Sequence, residues 1–263
     1  MDPPYKFYHL HEFDTKGLFD RYFSATADKL YYDEVVVFPM KVLHKAVAKG
    51  NIRGEVLIDV SVGPTFHQLL SVSEYFKEIT VLEFSDACIK DLENWVKKGD
   101  DAFDLSHTSK FLTELQETND KWEEKEENVR KRIKHILKCD FTKKNPTDPV
   151  VLPKADCIVS YFGINVVSKD QKSYSDNLKK LSIMLKPGGR LLLFGGFNAV
   201  FFTLADEKFH TLSYDEAFLR KALAEAGFAI DGLEVLESKM RNESFYCEHI
   251  CFVNALKIKE PKM

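Results

Sequence analysis

Between residues 55 and 256 the chain alternates short, continuously apolar runs with longer segments whose apolar residues return every three or four positions. The short runs predict strands buried on both faces, and the longer segments predict amphipathic helices packed against them. Strands then fall at 56–60, 79–83, 156–162, 190–194, 233–237 and 250–256, and helices at 66–75, 87–98, 122–138, 174–185 and 214–226. Strand and helix in steady succession mean right-handed crossovers and a mostly parallel sheet with helices on both faces, an α/β architecture. No long helix separates the last two strands, which predicts an antiparallel hairpin at one edge. The first fifty residues differ: Leu18, Phe19, Tyr22 and Phe23 have helical spacing, and Phe13, Tyr31, Tyr32 and Phe38 are interleaved with Asp and Lys. They predict an N-terminal helical lid, residues 1–50, ahead of a sheet domain, residues 51–263, that is one compact unit.

Two local patterns refine this outline. In 122–138 the acids Glu123, Glu124, Glu126 and Glu127 precede the bases Arg130, Lys131, Arg132, Lys134 and Lys138, the order a helix dipole favours. Glu126 and Arg130, and Glu127 and Lys131, are spaced to pair along a helix. Trp122, Val129, Ile133, Ile136 and Leu137 form one apolar stripe, so the segment reads as a single surface helix docked on the sheet rather than as a basic binding patch. At 185–189 the sequence Leu-Lys-Pro-Gly-Gly stops a helix and turns the chain into the next strand, an architectural role.

Composition removes several function classes. A chain of 263 residues, 44% apolar and 30% charged, has the make-up of a soluble globular protein with a full core. A net charge of −4 argues against a nucleic-acid or anionic-membrane partner, which calls for clustered basic excess. No apolar run reaches the roughly 18 residues of a membrane span, and MDPPYKFYHLHEF lacks the basic-then-apolar pattern of a leader. A cytoplasmic monomer is expected. Five scattered cysteines, an odd number, suit reduced thiols. Cys247, His249 and Cys251 lie close together, but strand neighbours alternate faces and no second cluster completes a ligand set, so no metal is expected.

The candidate chemistry starts at 55–65, Glu-Val-Leu-Ile-Asp-Val-Ser-Val-Gly-Pro-Thr, where an apolar run ends in Asp59 and breaks into a short loop. A strand, a tight turn and a helix start place backbone N–H groups at the carboxyl end of a buried strand, where open α/β sheets bind nucleotide-like ligands. The next strand ends in Glu83, whose carboxylate at that tip can accept from two ribose hydroxyls and proposes an adenosine-containing cofactor. Asp140, in Lys-Cys-Asp-Phe-Thr, is read either as a turn former or as an acceptor for an adenine amino group.

In this order and spacing DVSVGPT, LEFSD, KCDFT, ADCIVS and LKPGGRLLLF resemble the class I S-adenosylmethionine-dependent methyltransferases. More closely, the chain resembles the nicotinamide, phenylethanolamine and indolethylamine N-methyltransferase family, and looks most like its indolethylamine and thioether-methylating branch. WEEKEE followed by LKCD is the specific feature, and the resemblance spans nearly the whole chain. It implies a Rossmann-like, seven-stranded sheet, S-adenosyl-L-methionine as cofactor, S-adenosyl-L-homocysteine as product, and a small amine or thioether as acceptor. It also implies roles: Asp59, Ser61, Gly63, Pro64 and Thr65 for the loop at the methionine portion, Glu83 for the ribose with Phe84 and Cys88 nearby, Asp140 and Phe141 for the adenine, and Ser160 and Tyr161 near the sulfonium.

The chain departs from the family's pattern at several of these positions. The family loop reads Asp-Ile-Gly-Ser-Gly-Pro-Thr, whereas Ser61 and Val62 stand here in place of Gly and Ser. A left-handed backbone at 61 would cost a serine about 1–2 kcal/mol. His67 replaces a cofactor-contacting Tyr, and the two lid hydroxyls fall at Leu18 and Phe23, leaving Tyr22 as the neighbouring phenol. Acceptor-site acids fall at Gly195 and Asn165 and a pocket Tyr at Phe202, which speaks against nicotinamide as acceptor, whereas Thr211, at the position of an amide-contacting Ser, keeps a hydroxyl.

Methyl transfer from a sulfonium to a neutral amine is an in-line displacement that needs positioning and exclusion of water, with no nucleophilic side chain. No catalytic residue is therefore assigned. Phe23, Tyr161, Phe197, Phe201, Phe202 and Tyr246 are expected to wall a pocket for an arylalkylamine or thioether, with Asn165 as its polar group. The alternative is a paralogue that keeps the fold as a binding or structural protein. A dinucleotide oxidoreductase fits poorly, because the loop carries one glycine and no G-x-G-x-x-G.

Overall fold

A computed structural model describes residues 5–261. The chain begins with a helical layer: α1 (Thr15–Tyr22), α2 (Lys29–Tyr32), a π-helical turn (Asp33–Val37) and α3 (Phe38–Val47). Asp14 and Asp28 cap the first two helices by accepting from the N–H groups of Lys16 and Leu30. The π-helical turn is anchored through the buried Glu34, whose carboxylate accepts from Ser238 Oγ at 2.6 Å and Lys239 N at 2.8 Å. Helices therefore occupy the stretch where the lid is expected, and residues 1–4 of that stretch lie outside the described residues.

Among the described residues ten strands follow: β1 (Gly54–Val60), β2 (Phe76–Glu83), β3 (Ile133–Lys138), β4 (Ala155–Tyr161), β5 (Leu185–Phe197), β6 (Phe201–Leu204), β7 (Glu207–His210), β8 (Phe228–Glu237), β9 (Phe245–Tyr246) and β10 (His249–Lys257). Seven of them form one sheet in the order β3-β2-β1-β4-β5-β10-β8. β3 through β5 run parallel, and β10 lies antiparallel to both β5 and β8, so the predicted hairpin is present at the edge. Strand order reverses between β1 and β4, and that reversal opens a crevice beyond their carboxyl ends. The middle strands are apolar on both sides because helices cover both faces: Leu57, Ile58, Ile158, Leu191, Leu192 and Phe194 are each at most 1% exposed.

The crossovers are α4 (His67–Leu70), α5 (Asp86–Val96), α6 (Ser106–Leu115), α7 (Trp122–Arg132), α8 (Gly163–Val167), α9 (Gln171–Met184) and α10 (Glu216–Glu225). Three expectations need correction. The helix predicted at 122–138 ends at Arg132, and 133–138 is the edge strand β3, with Thr80 opposite His135. Without it the outer edge of β2 would leave its backbone groups unpaired, and that non-local demand overrides the helical stripe. Glu126 and Arg130 pair at 3.0 Å, but Glu127 pairs with Lys98 instead of Lys131. The helix predicted at 66–75 is reduced to α4 and a single 3-10 turn at Ser73–Tyr75. Leu-Lys-Pro-Gly-Gly forms an irregularity inside β5: Ala155 faces Leu185, then Cys157 faces Arg190, with Gly188 at φ +76° taking the tight bend.

Residues 201–246 also supply a small second sheet, β7-β6-β9, which the hydrophobic pattern did not suggest. It stands over the carboxyl ends of the main sheet, and the lid is fixed to it where Tyr22 donates to Thr203 O at 2.9 Å.

Candidate functional site

The loop after β1 is built around one carboxylate and one glycine. Asp59 is fully buried; it accepts from Ser61 Oγ and, at 2.9 Å, from Gln68 Nε2, and burial pushes its pKa up to about 7 against the pull of those two donors. Ser61 Oγ in turn accepts from Tyr161 N at 3.2 Å, and Val62 N donates to Tyr161 O at 3.2 Å, which joins the ends of β1 and β4. Of the loop residues only Gly63 has a left-handed backbone, φ +96°. The strain anticipated for Ser61 therefore does not arise, and its hydroxyl makes structural bonds that a glycine could not. Pro64 and Thr65 are buried behind the loop, with Thr65 Oγ1 2.8 Å from His67 Nδ1. Burial, and then the neighbouring His107, lower the His67 pKa to about 3 and keep the ring neutral.

Glu83 ends β2 at 1% exposure. Its Oε1 accepts from Phe84 N at 2.6 Å and Ser85 N at 2.9 Å, while Oε2 is buried without a hydrogen-bond partner. Burial raises this carboxyl to about 8 in spite of those two donors and of the nearby Tyr8 hydroxyl, which pull it down. Tyr8 is the neighbour sequence reasoning missed. Its hydroxyl accepts from Gly63 N at 2.9 Å and lies 3.1 Å from Cys88 Sγ. Burial, then the Cys88 thiol and the Glu83 carboxyl, push the phenol well above its usual range.

Two openings flank this point. A cleft of about 510 Å³ is lined by Phe84, Asp140 and Phe141 on the sheet side and by Phe7, His9 and Leu10 on the other. Asp140 follows β3, not a helix; hydrogen bonds from the Thr142 hydroxyl at 2.6 Å and backbone N–H at 2.8 Å hold its carboxyl below the usual range. The second opening, a cavity of about 80 Å³, lies under the lid against Leu18, Tyr22, Phe23, Tyr161, Phe202 and Thr211. The sequence did not single out Val35, Phe162, Val166, Ala199 and Phe245, and raised Cys247 only as a metal candidate; these complete the wall with Val62 and Gly196. Tyr161 donates its hydroxyl to Val35 O, so the phenol is committed to holding the π-helical turn.

The remaining candidates lie off the cavity wall. Gly195 sits beneath the Tyr214 hydroxyl, which occupies the space a side chain at 195 would fill. Phe197 packs edge-on against Tyr214, Phe201 against Tyr5, and Tyr246 pairs with Phe201 in the small sheet. Asn165 is 1% exposed; Oδ1 accepts from Tyr214 at 3.2 Å and Nδ2 has no partner. Ser160 Oγ is likewise buried without a partner. Among the described residues no cluster of His, Cys, Asp and Glu is arranged to hold a metal ion, and no helix is long and apolar enough to cross a membrane.

The strand order, the reversal between β1 and β4 and the acidic strand end beside the glycine loop define the class I S-adenosylmethionine-dependent methyltransferase fold. A methyltransferase of that dependence from Clostridium acetobutylicum superimposes with a TM-score of 0.56 at 13% identity, over 92% of this chain and 97% of its own. That likeness concerns the fold alone. Residues 5–258 match the profile of the NNMT/PNMT/TEMT family, and the chain belongs to that family. It is 31% identical to human nicotinamide N-methyltransferase, covering 96% of each chain. It is also 31% identical to indolethylamine N-methyltransferase of Oryctolagus cuniculus, covering 90% of each. Equal identity to the two relatives does not separate the branches. The family's cofactor fits this chain at one point in particular: Glu83 Oε2 is a buried acceptor that lacks a donor, as a carboxylate awaiting a ribose hydroxyl would.

Proposed function

We propose that this methyltransferase acts on a small, uncharged acceptor, either an amine in its free-base form or a thioether. The cavity under the lid carries the reading, because no charged side chain lines it. A cationic amine would meet no counter-charge there and would lose its hydration, so the neutral form binds. Its size favours the short end of the range: about 80 Å³ is smaller than the roughly 150 Å³ that accepts a benzene ring, so an indole requires the lid to shift.

Glu83 would hold the cofactor's ribose, the Gly63 loop its methionine portion, and Asp140 with Phe141 and Phe84 its adenine. Bound there, S-adenosylmethionine supplies an electrophilic methyl group. The chain's own residues bind, orient and exclude water. Tyr22, Tyr161 and Glu34 use their polar atoms to pin the lid, and the rings of Phe23, Phe162, Phe202 and Phe245 present faces on which positive charge developing at the acceptor is stabilised. Five free, buried cysteines support a reducing, cytoplasmic setting.

Isothermal titration with S-adenosylhomocysteine tests the cofactor site. Saturable binding is expected, with about 2.7 kcal/mol of added stability at a hundredfold excess over Kd. Methyl transfer is then compared across a short dialkyl thioether, an alkylamine, an indolethylamine and nicotinamide. Turnover is expected with the first two above the others; no binding at millimolar ligand, or nicotinamide as the best acceptor, would overturn the reading.

A further inference from the structure

Tyr8 stands between the cleft at Asp140 and the cavity under the lid. It packs on Phe84, which lines the cleft, and its hydroxyl takes the N–H of Gly63, the glycine whose missing side chain faces Phe23 on the cavity wall. At 1% exposure it is as buried as the core. We propose that residues 5–11 form an internal strap whose Tyr8 competes with the cofactor for the Gly63 and Glu83 end of the site, and which must lift out before the cofactor binds. This rests on the cofactor reading above and adds to it a gate that the chain carries in itself.

Three observations favour a gate over a permanent plug. Tyr8 caps Gly63 N but leaves Glu83 Oε2 without a partner, so the strap satisfies the crevice only in part. Apart from the Tyr8 hydroxyl contacts to Gly63 and Cys88, the strap is fastened by few polar bonds: Lys6 N to Lys208 O at 3.0 Å, His210 N to Lys6 O at 2.7 Å, and a half-exposed Lys6–Glu207 ion pair of the kind that contributes little. Phe7 and His9 pack on each other and Phe7 on His210, at the rim of the cleft rather than in the main core. A strap closed nine times in ten lowers apparent cofactor affinity about tenfold, without any change in the site itself.

The test is titration of the full chain with S-adenosylhomocysteine, wild type against Tyr8→Phe and Tyr8→Ala. Tyr8→Phe keeps the ring and its packing and loses the bond to Gly63, so affinity is expected to tighten up to about fivefold. Tyr8→Ala should tighten it about tenfold or more. Hydrogen exchange on the wild type is read alongside: saturation with S-adenosylhomocysteine should speed exchange at the Lys6 and His210 amides as the strap leaves β7. Equal or weaker affinity in both variants, or slower exchange at those amides, overturns the strap while leaving the cofactor site standing. Binding by none of the three proteins removes the cofactor reading and the strap together. If Tyr8→Ala does not fold, Tyr8→Phe and the exchange measurement decide.

Discussion

On the proposed ribose contact, Glu83 would couple cofactor binding to pH. Its pKa is raised to about 8 and that of Asp59 to about 7, both foremost by burial. A ribose hydroxyl donates best to the ionised carboxylate, so S-adenosylhomocysteine affinity is expected to rise with pH and level off above about 8. Stability runs the other way. In the native state these acids hold protons that the unfolded chain has lost, so stability is greatest below the unfolded carboxyl range and falls as pH rises through about 7 and 8. Urea midpoints across that interval measure the slope, and Glu83→Gln should flatten both dependences while weakening the ligand. Asp59, Gly63 and Glu83 were legible in the sequence because each sits at the end of an apolar run, where topology alone dictates its surroundings. Tyr8 was not: it reaches Gly63 from 55 positions away, and nothing local distinguishes it from the other aromatics of the lid.

Among elements, the joint between β1, β4 and the lid is the most tightly determined. Phe162, in the left-handed region at φ 55°, turns the chain out of β4, and Gly163 follows because a side chain there would come within 2.5 Å of Val60 O. Tyr161 passes this constraint to the lid through Val35 O. Tyr161→Phe leaves that carbonyl without its donor and should cost about 1–3 kcal/mol in denaturant unfolding, with the loss concentrated in hydrogen-exchange protection of 33–38. The π-helical turn could not be read beforehand, since its length is set by anchors at Ser238 and Tyr161, both distant in sequence. β3 was misread for a similar reason: Ile133, Ile136 and Leu137 continue a helical stripe, and only the open edge of β2 makes them a strand. The strands of the sheet interior, by contrast, followed directly from their continuous apolar runs.

For the molecule as a whole, the uncharged cavity makes the pH profile of the reaction diagnostic of its acceptor. With an amine whose pKa is near 10, initial rates below saturation should rise about tenfold per pH unit through neutrality, because only the free base enters. A thioether has no such proton, and its rate should show only the shallower Glu83 dependence. A flat profile with a strongly basic amine would mean that the cation is bound, against the absence of charge on the wall. The same assembly has a cost on its outer side. β7 pairs with β6 along one edge and with Lys6 along the other. When residues 5–11 lift away, that second edge presents free N–H and C=O groups, the template on which strands of separate molecules add to one another. Glu207 and Lys208, both exposed, are the charges left to guard it. A chain that uncovers a strand whenever it opens for its cofactor is most prone to self-association during turnover, and screening those two charges with salt weakens its protection.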